Sequence, residues 1–254
     1  MTRILILLVG LSGLLPLAAR ADGIGVVLIH GKQGSPDRII NLLADDMEAA
    51  KFPVERPTMC WARAVIYNAA FLDCLAAIDD AVGRLKARGA TRFVVAGMSL
   101  GGSAALAYGA RHEGLAGIIA LAPAPPPGIA NRPEIARGLE EARTLIARGK
   151  GDEFQTFTDI NEGPISVRAT PNIFISFLTF EGPANIVANA ARQKTPVLWV
   201  SGTSDRSQLP ESNGFGRVPA NPLNRYVTVD SNHLGTPNAA RGAVVAWLKD
   251  LAKN

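Results

Sequence analysis

Short apolar runs alternate with longer stretches of helical periodicity along most of the chain. Residues 24–31, 92–97, 116–123 and 196–201 are mostly apolar, as is typical of strands buried on both faces. Between them, segments such as 68–88 carry apolar side chains three and four residues apart, the spacing of one helical face. The pattern therefore predicts an α/β fold with a mainly parallel sheet flanked by helices.

The first helix is predicted over residues 35–51. Ser35 is a candidate N-cap and Pro36 would occupy the first helical position. Apolar residues follow at helical spacing, at Ile39, Leu42, Leu43 and Met47.

Ser99 lies where a predicted strand gives way to a helix, between Gly97 and Gly101 in the stretch GMSLGG. A serine raised on so tight a turn needs residues without side chains two positions before and after it, where side chains would collide with the strand and the helix. The helix that follows directs unpaired N–H groups towards the serine. Such N–H groups stabilise negative charge on a reacting carbonyl oxygen. Ser99 is therefore a candidate nucleophile; the alternative is a serine that caps the helix, with glycines that serve only the tight loop.

A serine nucleophile requires a base, and the chain has three histidines. His233 is favoured, because it follows the last apolar strand and precedes the C-terminal helix. His112 lies at the far end of the helix after Ser99. His30 follows the first strand beside a glycine, and a role in bracing that loop by hydrogen bonding is favoured over a catalytic one.

The base needs an acid to orient it. Asp205 follows the strand at 196–201 and gives the chain order Ser99, Asp205, His233; Asp230 is the alternative. The predicted oxyanion donors are the backbone N–H groups of Leu100, directly after the serine, and of Lys32 in the loop after the first strand. In that loop Gln33 is a second possibility.

The motifs IHGKQG, GMSLGG, SGTSD and NHLG together resemble those of the α/β-hydrolase family, in the family's order, over residues 24 to about 250. The resemblance implies an α/β-hydrolase fold and a cofactor-independent serine hydrolase without a metal. Its Ser99–His233–Asp205 triad would cleave a carboxylic ester or related acyl bond of a small molecule through an acyl-enzyme. Met98 departs from the pattern, since many members carry His there. A catalytically inactive binding protein and an acyltransferase are the alternatives.

Roughly 70 residues separate the strand that ends at Ala122 from the strand that begins near Thr195, far more than a crossover helix needs. We expect a lid insertion over about 124–192, with an amphipathic helix in 132–150. Five of the nine phenylalanines fall there, and they form either an apolar substrate pocket or the insertion's own core: Phe154, Phe157, Phe174, Phe177 and Phe180.

The N-terminus predicts a secretory signal peptide over residues 1–21, which leaves a domain of residues 22–254 in a secreted or periplasmic protein. Its apolar stretch is shorter than the ~20 residues that cross a bilayer, so no stable membrane span is expected after cleavage, and a retained membrane anchor is the alternative. Export permits a disulfide between Cys60 and Cys74, and two free buried thiols are the alternative.

Charge gives little indication of a partner. The formal net charge is only +4, and Lys and Arg are scattered along the chain, which argues against nucleic-acid binding.

Overall fold

Six parallel strands form the central sheet of the computed structural model, which describes residues 23–125, 127–161, 163–207 and 209–254. The strand order is β2-β1-β3-β4-β7-β8. These strands are β1 (Ile24–Ile29), β2 (Val54–Glu55), β3 (Arg92–Met98), β4 (Gly117–Leu121), β7 (Val197–Gly202) and β8 (Arg225–Val229). The predicted parallel α/β fold is confirmed, whereas the predicted signal peptide lies outside the described residues.

The four central strands are buried almost throughout, which is why each is a continuous apolar run. In register, Ile29 of β1 lies opposite Gly97 of β3, and Met98 of β3 lies opposite Leu121 of β4. The carboxyl ends of β1, β3 and β4 therefore meet at one edge of the sheet.

Helices cover both faces of the sheet. Residues such as Val26 and Leu28 of β1 face one core with Leu43, Met47 and Trp247, while alternate strand residues face a second core. The helices are α1 (Asn41–Ala49), α2 (Ala76–Ala87), α3 (Leu100–Gly109), α4 (Pro133–Ala147), α5 (Pro171–Leu178), α6 (Ile186–Ala190), α7 (Thr236–Ala239) and α8 (Arg241–Ala252). Among the described residues, no helix is both long and apolar enough to cross a bilayer.

The first helix begins later than predicted. It starts at Asn41, and residues 35–40 form turns in which the Ser35 hydroxyl donates to Asp37 at 2.7 Å instead of capping a helix. This local side-chain bond competes with helix formation. Ile39 and Leu42, assigned to the apolar face, are 46% and 53% exposed, while Leu43 and Met47 are buried.

An insertion between β4 and β7 contains α4, a hairpin of β5 (Gln155–Ile160) and β6 (Pro164–Ala169), α5 and α6. Phe157 and Phe174 stack inside it with ring centroids 4.3 Å apart. Phe177 instead packs against the main domain, 4.2 Å between centroids from Tyr67. Phe154 and Phe180 are 52% and 57% exposed.

Cys60 and Cys74 form a disulfide in the loop region between β2 and α2. The two cysteines are 14 positions apart in the sequence, and the bridge closes the loop between them. Tyr67 lies inside that loop, in a left-handed backbone conformation with φ +58°, and its N–H donates to the Cys60 carbonyl at 2.8 Å. The bridge therefore restrains a segment with little regular secondary structure of its own.

Replacing both cysteines by alanine is expected to lower the free energy of unfolding by about 3 kcal/mol, because a cross-link of this span removes loop-closure entropy from the unfolded chain. Urea unfolding of the oxidised protein and the Cys60→Ala/Cys74→Ala variant measures this. Reductant should destabilise only the wild-type protein. An equal response of both proteins to reductant would contradict the assignment.

Candidate active site

Ser99 occupies a strained turn between β3 and α3, with φ 57° and ψ −122°. A Cβ atom at Gly97 would overlap the backbone of Gly101, and one at Gly101 would lie 2.5 Å from the carbonyl oxygen of Ile29. Both positions therefore require glycine. The Ser99 N–H donates to the Leu121 carbonyl at 2.9 Å, which fixes the turn against β4.

His233 lies in the loop that follows β8, and its ring reaches Ser99. The Nε2 atom is 2.9 Å from the Ser99 Oγ, and the Nδ1 atom is 2.7 Å from Oδ2 of Asp205. The Asp205 oxygen can only accept, so Nδ1 carries a proton and a neutral ring accepts the serine proton at Nε2. The structure thus brings all three sequence-predicted residues into one hydrogen-bonded chain.

Ser207 is a fourth member of this chain that sequence reasoning missed. Its backbone N–H and its hydroxyl donate to Oδ1 of Asp205, at 2.8 and 2.6 Å. Because that hydroxyl proton is used, the Ser207 oxygen accepts from Nδ1 of His233 at 3.1 Å. A serine two residues after an aspartate is a common turn pattern, and this was the only signal available.

The environment of Asp205 favours its charged form. Burial raises the pKa of this carboxyl, but hydrogen bonds from His233 and Ser207 and the nearby imidazole outweigh burial and leave the pKa below its ordinary value. Asp205 is therefore an anion across the neutral range and is able to stabilise a positively charged His233.

Lys32 and Leu100 lie beside Ser99, at the wall of the same cavity. Within the described part of the chain, neither of their backbone N–H groups donates to a protein acceptor. The N–H of Gln33, the other possibility in this loop, is occupied by the Trp61 carbonyl at 2.9 Å. Lys32 and Leu100 as the oxyanion donors stay a prediction, with which the absence of a backbone acceptor for either N–H group among the described residues is compatible.

The other histidines and the alternative acid lie apart from this chain of hydrogen bonds. The Nδ1 of His30 donates to the Gly31 carbonyl at 2.8 Å, and Nε2 accepts the Met59 N–H at 3.2 Å. Burial lowers the pKa of His30, which stays neutral and braces the loop. His112 stacks on Tyr108 at the far end of α3, and the exposed Asp230 carboxylate accepts from a threonine hydroxyl.

Two cavities open beside Ser99. The larger has a volume of about 560 Å³ and the smaller about 220 Å³, and Ser99, His233, Lys32 and Asn161 line both. The larger cavity also reaches Ile129 and Arg132 near the start of the insertion. None of the five insertion phenylalanines is among the described residues that line it, so the apolar-pocket interpretation of those rings is not supported.

Among the described residues, no group of three or more His, Cys, Asp or Glu side chains is arranged to hold a metal ion.

The sequence profile of the alpha/beta hydrolase family matches residues 26–247. The chain belongs to the alpha/beta hydrolase family. A comparison with curated proteins finds no match.

Solved structures with the same fold include several enzymes. A structure reported for LipS and LipT, two metagenome-derived lipolytic enzymes, is 18% identical over 91% of this chain and 94% of that one, with a TM-score of 0.64. The monoacylglycerol lipase of Paleococcus ferrophilus is 20% identical over 89% and 94%, with a TM-score of 0.64. Est1E from Butyrivibrio proteoclasticus is 19% identical over 91% and 88%, with a TM-score of 0.62.

Replacing Ser207 by alanine in this hydrolase-fold protein is expected to reduce the free energy of unfolding by about 1–2 kcal/mol at pH 7, because a hydrogen bond to a charged carboxylate is lost. The depressed pKa of Asp205 supplies stability that is present above its unfolded pKa and is lost as the pH falls through its folded pKa. The difference between wild type and Ser207→Ala should therefore shrink as the pH falls below about 4.

Urea unfolding from pH 7 downwards measures that difference. Ser207→Thr, which keeps the hydroxyl, should recover most of the stability, and the exposed Ser212→Ala is the matched control. A loss that stays constant with pH would show that the Ser207 hydroxyl does not act through the Asp205 charge.

Proposed function

We propose that this protein is a serine hydrolase that cleaves a carboxylic ester or related acyl bond through an acyl-enzyme. The observation that carries the proposal is the continuous hydrogen-bonded chain from Ser99 through His233 to Asp205, with distances of 2.9 and 2.7 Å. The structural similarity to lipases and esterases supports the same class of reaction.

In the first half-reaction, the Ser99 Oγ attacks the acyl carbonyl while its proton passes to Nε2 of His233. The negative charge that develops on the carbonyl oxygen is held by the N–H groups of Leu100 and Lys32. Protonated His233, stabilised by Asp205, then gives the proton to the departing alkoxide, which leaves as an alcohol.

In the second half-reaction, water attacks the acyl-enzyme. His233 takes a proton from that water and returns it to the Ser99 Oγ as the tetrahedral adduct collapses, which releases the carboxylic acid and restores the Ser99 hydroxyl and neutral His233. The cavities of about 560 and 220 Å³, which both open at the serine, provide space for the acyl and alcohol portions of a small-molecule substrate.

A fluorophosphonate probe is expected to label the purified wild-type protein at Ser99, and Ser99→Ala should abolish the labelling. With nitrophenyl esters of graded chain length, Ser99→Ala and His233→Ala should lower kcat by at least about 10³-fold, because nucleophile and base act as a unit. Steady-state kinetics measures this, with Ser212→Ala as the exposed serine control.

Labelling that survives Ser99→Ala would remove Ser99 from the role of nucleophile. No turnover of any ester by the wild-type protein would favour an inactive binding protein. Ester products formed in preference to acid when an alcohol acceptor is added would instead favour an acyltransferase.

The same proposal places the enzyme in a secreted or periplasmic compartment, with the lid expected over about 124–192 as part of the domain 22–254. The early Arg3, the apolar stretch and the small residues Ala19 and Ala21 support export, and the Cys60–Cys74 disulfide is typical of an oxidising compartment.

Expression of the full chain in a bacterium with a periplasm is expected to yield exported protein that begins at Asp22, because small residues at 19 and 21 precede the predicted cleavage site. Mass spectrometry of the N-terminal peptide checks this. Ala21→Arg should leave uncleaved precursor. Protein retained in the cytoplasm with Met1 in place would contradict the proposal.

A further inference from the structure

A buried ion pair links the insertion to the loop that carries a proposed oxyanion donor. The Nζ of Lys32 donates to Oδ2 of Asp159 at 2.6 Å and to the Ile160 carbonyl at 3.0 Å. The Lys32 side chain is 7% exposed and the Asp159 side chain is fully buried. The two residues are 127 positions apart, so the contact is entirely tertiary.

The Asp159 carboxylate accepts hydrogen bonds from three different residues. Its Oδ2 also accepts the Tyr67 hydroxyl at 2.6 Å, and its Oδ1 accepts the Ile160 N–H at 2.7 Å. Burial and the adjacent carboxylate raise the pKa of Tyr67 well above 10, so its hydroxyl remains a donor. This cluster of Lys32, Asp159 and Tyr67 therefore has one defined arrangement.

Stability alone does not explain such a cluster. Phe157 and Asp159 both face inward from β5, and an apolar residue at 159 would continue the alternation of that strand. Desolvation of two charges offsets much of their attraction, and apolar pairs of similar volume are often equally stable. A buried carboxylate at this position instead holds one specific partner in one place.

That partner, Lys32, lies next to the turn that carries Ser99. Gly31 packs so closely on this turn that an added Cβ would lie 3.1 Å from the Ser99 Cβ, and Lys32 follows directly. A second contact, from Asn161 Nδ2 to Gln33 Oε1 at 3.0 Å, again joins the end of β5 to this loop. The insertion therefore fixes the loop at two successive residues.

We propose that Asp159 is a positioning residue for the oxyanion hole: by anchoring the Lys32 side chain, it sets the position of the Lys32 backbone N–H relative to the Ser99 Oγ. The inference rests on the proposed function and extends it, because it makes the insertion part of the catalytic apparatus. Tyr67, which the disulfide-closed loop presents to Oδ2, orients the same carboxylate.

The test uses Asp159→Asn, which preserves shape and removes the charge. With a neutral nitrophenyl ester, kcat is expected to fall about 10- to 100-fold while KM changes less than about threefold, since a misplaced donor weakens binding of the transition state and not of the substrate. The inhibition constant of a trifluoromethyl ketone, whose adduct places an oxyanion in the hole, should rise by a similar factor.

Asp152→Asn is the matched control, because Asp152 belongs to the same insertion, is exposed and bonds to Asn172 away from the cavity. It should retain wild-type kcat and ketone affinity. Folding of every variant is checked by circular dichroism and urea unfolding.

The double variant Lys32→Met/Asp159→Leu keeps the test decisive if Asp159→Asn fails to fold, because it removes both buried charges at once. It should fold and remain impaired in kcat and ketone affinity. Wild-type kcat and ketone affinity in either folded variant would overturn the proposal. A wild-type protein without Ser99-dependent turnover would overturn the proposed function itself, which is a different result.

Discussion

The site depends on the parallel pairing of the central strands, which brings the carboxyl ends of β3, β7 and β8 to one edge of the sheet. Ser99 directly follows β3, Asp205 follows β7 and His233 follows β8. Residues 99 and 233 are 134 positions apart in the chain, yet their side chains are 2.9 Å apart. Antiparallel placement of any one of these strands would carry its residue to the opposite edge.

The strained turn at Ser99 is maintained by its surroundings. A non-glycine residue with positive φ costs on the order of 1–3 kcal/mol, and such strain persists only where packing leaves no alternative. Here the hydrogen bond to the Leu121 carbonyl and the close approach of Gly97 to Gly101 provide that packing. The strain holds the hydroxyl above the sheet, where His233 reaches it.

The contacts that join the insertion to the main domain include an apolar one and a charged one. Phe177 packs among aromatic rings of the segment that the disulfide closes, while Asp159 forms a charged contact with the loop after β1. The apolar contact supplies non-directional stabilisation, whereas the charged contact has a defined geometry. Together they hold the insertion against the main domain, and Ile160 and Asn161 of the insertion line the larger cavity at Ser99.

Periodicity and local motifs were sufficient to predict the fold class and the family and to identify Ser99, Asp205 and His233 as candidate site residues. Buried parallel strands require continuous apolar runs, and a nucleophile's turn requires glycines at fixed spacing, so both leave local signals. The predicted start of the first helix was wrong. The Ser35 hydroxyl bonds to the Asp37 side chain, which competes with helix formation, and the apolar pattern carries no information about that bond.

What only the tertiary structure decided is which distant groups meet. The pairing of Cys60 with Cys74, the exclusion of Gln33 as a donor by Trp61, and the partnership of Lys32 with Asp159 all join residues without a shared local pattern. The sequence by itself determined where strands end and which residue types stand there. Contacts between residues that are distant in sequence depend on the packing of the whole fold. Burial and interatomic distance are set by the three-dimensional structure and cannot be calculated from sequence spacing.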